Sequence, residues 1–214
     1  MESLRDAGED VDLRDAAPPL AGVVLCGGRS ARMGTDKAST EAGGVTLLDR
    51  AVTRLCDVCD PVLVAPGDVA VASGAYVTVV DALRDAGPLA GLVAALRASP
   101  HHLLAVVAVD LPWLDPGLLR MLAGRIGDHD VALCETARGV EPLHAVYARS
   151  ALAAAERALQ GSDRSMHGLI ERVRTMRVTE GEWRAAGISQ RFSRNVNTPA
   201  DLAELNLELG RPVS

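Results

Sequence analysis

The chain has 214 residues, 48% hydrophobic but only 2% aromatic, and a formal net charge of -6. That length can bury a good core in one domain, and no apolar run reaches the ~18 residues needed to span a bilayer. Six acids and two arginines in the first 19 residues carry most of the net charge, leaving a nearly neutral remainder that argues against a nucleic-acid-binding face.

Residues 1–19 read as a flexible acidic tail ending at Pro18-Pro19, with no apolar h-region and hence no signal peptide. Residues 20–214 read as a single domain without repeats or linkers. Residues 21–26, AGVVLC, are dense in β-favouring types and predict a buried strand. Gly27 and Gly28 end it and open a loop carrying Arg29, Ser30, Arg32, Met33, Gly34, Thr35, Asp36 and Lys37. Glycines at a strand's carboxyl end let backbone N–H groups turn towards an anion, and the loop's cations supply positive charge where a polyphosphate would lie. The spacing fits neither a Walker loop nor the G-x-G-x-x-G turn. Lys37 is the only lysine among 22 basic residues, which suggests a site needing a compact ammonium rather than a guanidinium fork.

Further along, Leu47 to Val58 has helical periodicity, with Leu48, Val52, Leu55 and Cys59 on one stripe. Cys56 and Cys59, in C-x-x-C spacing, are read as helix residues rather than a redox pair, since Cys26 and Cys134 are too scattered to complete a zinc site. Strands are expected at 62–65 and 76–80, the second ending at Asp81, followed by a helix opened by Gly87-Pro-Leu-Ala-Gly and running to Ala98. There Gly87 and Gly91 are expected to let the chain pass close to a ligand, with the helix N-terminus favouring an anion. Seven apolar residues, 103–109, end at Asp110. A carboxylate at that strand end wants a cation, and beside a phosphate loop it suggests Mg²⁺ bridging a nucleotide. An N-cap or turn aspartate before Leu111-Pro112 is the alternative.

Helices near 115–125, 150–160 and 165–173, strands near 130–134, 142–147 and 175–179, and a helix from about 199 to 208 complete the pattern. Strands alternating with helices predict a three-layer α/β/α sandwich on a mostly parallel, Rossmann-like sheet. Ligands of such sheets bind beyond the carboxyl ends of the strands. Asn195 and Asn197 flank a valine, so both amides fall on one face of an extended segment; turn and capping chemistry before Thr198-Pro199 is the other reading. His144 is expected to pack among polar neighbours rather than touch substrate, and Trp113 and Trp183 to be packing residues. His101-His102 lacks a third ligand nearby in sequence and carries no metal expectation.

LCGGRSARMGTDKA resembles the L-A-G-G-x-S-x-R-M-G-x-D-K signature of the molybdenum cofactor guanylyltransferases, departing at Cys26, where the family usually has alanine. The similarity continues in order through Asp81 with G-P-L-A-G, VDLPWL around Asp110, the Glu141-Pro-Leu strand and N-x-N-T-P at Asn195 to Pro199. It implies a nucleotide-diphospho-sugar transferase type of fold and transfer of GMP from GTP to a molybdopterin-type cofactor, with release of pyrophosphate. The nucleotide pocket would comprise Leu25, Cys26, Gly27, Gly28, Lys37, Asp81 and Asp110, with Asp85 a nearby competitor for Asp81. Arg32, Lys37 and Asp110 would carry catalysis, Asp110 would hold Mg²⁺, and Asn195, Asn197 and Arg164 would position the acceptor or its phosphate. Other cofactor-biosynthesis proteins and molybdoenzyme acceptors would be its partners, while composition, charge and the cysteines separately point to a cytoplasmic setting with no nucleic acid or membrane. A CTP-dependent enzyme on the same cofactor is the runner-up, disfavoured because such relatives tend to have Ala-Ala or Ala-Gly where this chain has Gly27-Gly28. A catalytically inactive nucleotide-binding regulator is the alternative from another class.

Overall fold

The structure is a computed structural model, and it describes residues 18–26, 37–67, 71, 74, 76–81, 83 and 86–210. The glycine loop from Gly27 to Asp36, with Arg32, and Asp85 lie outside the described residues, as does the tail up to residue 17.

The strands are β1 (Leu20–Leu25), β2 (Glu41–Ala42), β3 (Val45–Thr46), β4 (Val62–Ala65), β5 (Val77–Thr78), β6 (Leu103–Ala108), β7 (Val131–Thr136), β8 (Gly139–Val140), β9 (His144–Ala148) and β10 (Thr175–Val178). The helices are α1 (Leu47–Cys56), α2 (Pro88–Ala98), α3 (Pro116–Arg125), α4 (Leu152–Gln160), α5 (Met166–Ile170), α6 (Glu180–Ala185) and α7 (Pro199–Leu209). Among the described residues the main sheet runs β10-β7-β9-β6-β1-β4-β5, with β8 paired to β7, and β2-β3 form a separate hairpin. β1 pairs in parallel with β4 and β6, β4 with β5, and β7 with β10, whereas β9 lies antiparallel to both β6 and β7. The sheet is therefore mostly parallel, as predicted.

The period-two alternation of β1 sorts its side chains between two cores. Val24 and Cys26 join a cluster with α1, α3, α6 and α7, while Ala21, Val23 and Leu25 join one with α2, α4 and α5. Both faces of the sheet are thus covered, which is why β1 and β6 are apolar throughout. From β1 the chain passes over one face through α1 to β4, then returns over the other face through α2 to β6 on β1's far side. The carboxyl ends of β1 and β6 therefore flank a topological switch point, where a crevice opens.

Several sequence expectations need correction. The pair Cys56 and Cys59 does not share a helix: Cys56 closes α1 and Cys59 lies past its end, buried. The strand expected at 76–80 shortens to two residues, so Asp81 stands three residues beyond it. Gly91 faces the sheet and not a ligand, since a Cβ there would stand 3.0 Å from both Ala65 Cβ and Leu25 Cδ2. It sets how closely α2 lies on the strands. Gly87, by contrast, adopts φ 69 at the N-cap of α2, a left-handed conformation that glycine takes without strain. The hairpin β2-β3 and helix α6 have no counterpart among the predicted elements. Two residues per strand carry little alternation to read, and α6 is recruited by burial of Trp183.

Candidate active site

β6 delivers Asp110. Two residues past the strand's last, its backbone is held on both sides: Val109 N–H donates to Leu25 C=O at 3.1 Å, and Val196 N–H donates to Asp110 C=O at 2.9 Å. These bonds tie the end of β6 to the end of β1 and to the segment before α7. The Asp110 side chain meets that same segment and Lys37. Lys37 Nζ donates to Asp110 Oδ2 at 2.6 Å and to Asn197 Oδ1 at 2.6 Å, and Asn195 Nδ2 donates to Asp110 Oδ1 at 3.3 Å. Four predicted residues, 160 positions apart at the extremes, thus form one hydrogen-bonded group at the switch point.

The alternation around Val196 makes this possible. Val196 points into the core, so the amides on either side turn towards Asp110 and Lys37. Lys37 and Asp110 are only 15% and 14% exposed, so their attraction is screened less than that of a surface pair, while one side stays open to solvent. With Asp110 bonded to a lysine and an asparagine, the reading of it as a plain N-cap falls away; Asp115 caps α3 instead, accepting from Leu118 N–H at 3.1 Å.

Asn197 is braced from behind. Asp201 Oδ2 accepts from Asn197 N–H at 3.0 Å and Thr198 N–H at 2.9 Å, forming the capping box of α7. These bonds hold the Asp201 carboxyl below its usual range, the Asn197 N–H contributing most. Arg194, just upstream, lies over the Trp113 ring at 5.1 Å and pairs with Glu204 of α7. Sequence reasoning did not single out Asp201, although Thr198-Pro-Ala-Asp201 carries the capping-box spacing.

Glu141 is a second carboxylate in this neighbourhood. Burial pushes its carboxyl up, the bond from Leu143 N–H opposes the shift, and the charge of Asp110 raises it further. Sequence reasoning noted Glu141 only as part of a strand motif, because its position beside Asp110 depends on β9 lying antiparallel to β6.

The other predicted residues stand as follows. Leu25 and Cys26 are buried, one in each core; the Leu25 C=O and the Cys26 N–H are both used within the sheet. What they offer a ligand is the placement of the loop that follows. Asp81 lies beside α2, its Oδ1 3.6 Å from where a Cβ on Gly91 would be, outside the hydrogen-bonded group. Arg164 is not part of that group either. Its Nε donates to Gly161 C=O at 3.3 Å, and its side chain lines a groove with Leu83, Arg97, Glu156, Leu159 and Gln160. His144 is fully buried, Trp183 is buried with Nε1 donating to Glu135 C=O, and Trp113 packs partly buried with Nε1 on Glu208. Among the described residues no group of three or more His, Cys, Asp or Glu could hold a metal ion unaided.

The family model described as the MobA-like NTP transferase domain matches residues 22–177. The chain belongs to this family. Among curated MobA-like relatives, "Probable molybdenum cofactor guanylyltransferase" of Opitutus terrae is 38% identical over 197 residues, covering 86% of this chain and 94% of its own. "Molybdenum cofactor guanylyltransferase" of Desulfosudis oleivorans is 32% identical, covering 90% of this chain and 98% of its own. The crystal structure of molybdopterin-guanine dinucleotide biosynthesis protein A from Archaeoglobus fulgidus shares the fold at TM-score 0.76 and 24% identity, covering 88% of this chain and 98% of that one. A 2-C-methyl-D-erythritol 4-phosphate cytidylyltransferase from Thermus thermophilus shares it at TM-score 0.62 and 17% identity, covering 87% and 97%. The MobA-like match ends at residue 177, so Asn195 and Asn197 lie beyond it and join the site only through the tertiary fold.

Proposed function

We propose that this nucleotidyltransferase transfers GMP from GTP to a molybdopterin-type molybdenum cofactor in the cytoplasm, giving the guanine dinucleotide cofactor and pyrophosphate. The observation that carries the proposal is the convergence of Lys37, Asp110, Asn195 and Asn197 at the switch point, in a chain with guanylyltransferase relatives over most of its length.

In the proposed reaction an oxygen of the acceptor's terminal phosphate forms a bond to the α-phosphorus of GTP. The bond from that phosphorus to the bridging oxygen breaks in line, and pyrophosphate leaves with the electron pair. No protein nucleophile is needed. The residues bind, orient and neutralise charge, which is the main work in reactions of this kind. Lys37, held by two oxygen acceptors, can move one of its three N–H donors to a phosphate oxygen and remain tethered by another. Asn197 and Asn195 orient Lys37 and Asp110 without adding charge. Arg32 precedes Lys37 by five residues in the sequence, and its guanidinium would join the leaving pyrophosphate. Gly27 and Gly28 would present backbone N–H groups to the nucleotide.

The residues fit a hard divalent cation. Asp110 offers oxygen, and its two bonds to Lys37 and Asn195 leave lone pairs over. With one dedicated carboxylate the ion would take its remaining ligands from phosphates and water, as Mg²⁺ commonly does. Bound there, Mg²⁺ would supply charge neutralisation at the phosphates.

The test is release of pyrophosphate on mixing the protein with GTP, Mg²⁺ and the cofactor, alongside melting-temperature shifts with each nucleotide. GTP should stabilise more than CTP, UTP or ATP at equal concentration, because preferential binding to the native state raises its stability. A larger shift and turnover with CTP would replace the guanylyl assignment by a cytidylyl one. Nucleotide binding without turnover would support the regulator.

A further inference from the structure

His144 is the only histidine in the fully buried core among the described residues, and both of its ring nitrogens are used. Nδ1 lies 3.1 Å from Phe192 C=O, and Nε2 lies 3.4 Å from Asp115 N. A carbonyl only accepts and a backbone N–H only donates, so the ring is neutral with its proton on Nδ1. The Phe192 ring packs edge-on against the imidazole, 5.3 Å between centroids. His144 itself sits on β9 opposite Val107 of β6, three residues before Asp110.

The two partners of the ring belong to the two segments that make the site. Asp115, at the N-cap of α3, closes the loop that starts at Asp110. Phe192 belongs to the short 3-10 turn at Gln190–Ser193, which leads directly into Asn195 and Asn197. We infer that His144 is a positioning residue, a buried tether that sets the separation between the Asp110 loop and the Asn195–Asn197 segment and so aligns Lys37. The inference rests on the functional reading above only for its kinetic arm.

Two near-isosteric variants separate the two bonds. His144→Asn can place an amide N–H near the Nδ1 position and keep the bond to Phe192. His144→Gln can place an amide oxygen near the Nε2 position and keep the bond to Asp115. The first measurement is amide hydrogen exchange of the folded protein. In His144→Gln, exchange at 194–197, including the Val196 N–H bonded to Asp110, should speed up by about tenfold, the scale of one lost hydrogen bond. His144→Asn should leave those amides protected, and β1 and β6 should stay protected in both variants. Unchanged protection at 194–197 in His144→Gln, or equal loss in both variants, would overturn the tether.

The second measurement is a double-mutant cycle on pyrophosphate release. If His144 acts through the asparagine segment, His144→Gln should lower kcat by about tenfold with little change in KM for GTP, and should have almost no further effect in an Asn197→Ala background. Full multiplication of the two effects would mean a merely structural histidine and would overturn the positioning role. Should the parent enzyme release no pyrophosphate with GTP, the functional reading fails, and the exchange result alone still decides the tether.

Discussion

The two ends of the sheet use polar side chains differently. At the amino ends of β4 and β6 polar side chains mostly serve backbone carbonyls, while at those of β7 and β10 the exposed Arg174 and Ser150 bond Asp130. His101 Nε2 bonds Asp60 C=O at 2.8 Å, Ser99 Oγ bonds His101 C=O, and Arg149 reaches the carbonyls of Ser99 and His101. Beside β4 and β6 a shallow open groove is lined by Pro18, Cys56, Cys59, Asp60 and Arg120 among others. Burial pushes the Cys59 thiol there up to about 12, so almost none of it is thiolate at neutral pH. At the carboxyl ends, Lys37, Asp110, Asn195 and Asn197 bond one another through side chains drawn from three distant stretches. Side chain to side chain bonds are the minority in folded proteins, and a partly open cluster of them holding opposite charges is poised to exchange a partner for a ligand. The first pattern closes turns, and the second builds a site.

Replacing one charge at the carboxyl end should give the largest effect. Asp110→Asn keeps the shape but removes the anion facing Lys37, and turnover should fall by about a hundredfold or more. The melting temperature should fall modestly as well, because Lys37 then keeps its charge without the carboxylate it faces. Near-normal pyrophosphate release from this variant would move the proposed metal and the site elsewhere, with Asp81 the next candidate.

Lys37→Ala should raise the transition state by about 2–4 kcal/mol, in the range of a lost preorganised charged donor. Lys37→Arg should not restore activity. The ammonium reaches two acceptors at 2.6 Å each, and a planar fork cannot occupy the same point. Steady-state kinetics and nucleotide-induced melting shifts on both variants check this. An arginine variant as active as the parent would make the lone lysine a compositional accident.

Gly91→Ala tests the scaffold beneath the site. The new methyl would press on Ala65 and Leu25, α2 would have to move, and stability should fall by about 1–3 kcal/mol in urea unfolding.

The buried histidine should leave a smaller mark on pH dependence. Burial lowers His144 from 6.5, with Asp115 the carboxylate that faces it and partly opposes the shift. Above pH 6.5 the ring is neutral both folded and unfolded, and its contribution to stability is fully present. As pH falls below that value the unfolded chain takes up the proton first, so this stability is lost, by at most about 1.4 kcal/mol per pH unit. Melting temperatures at about pH 7.5 and about pH 5.5 should therefore separate more in the parent than in His144→Asn. Equal slopes would show that the ring does not titrate differently on folding.

At the amino end the expected effect is none. Cys56→Ser should leave turnover unchanged, and a thiol reagent at neutral pH should modify exposed Cys56 while sparing Cys59 and Cys134, both pushed up to about 12 by burial. Lost activity on labelling would end the division of labour between the two ends.

By itself, the amino-acid sequence determined the layered α/β class, because β1 and β6 had to be apolar on both faces to lie between two helical layers. It also determined the polar residues at strand ends, since a carboxylate following 103–109 has nowhere else to go, and the alternation around Val196 that turns both asparagines one way. Only the tertiary structure decided that Lys37 meets Asp110 and Asn197, that Gly91 serves packing, that Arg164 points into a different groove, and that Cys59 leaves its helix. Each depends on which strands become neighbours and how closely a helix lies on them, a matter of long-range pairing that no local period encodes. His144 shows the boundary most plainly. The sequence put it among polar neighbours, whereas the fold buries it against the Phe192 ring, and the two backbone groups it joins lie 29 and 48 residues away and meet only in the fold.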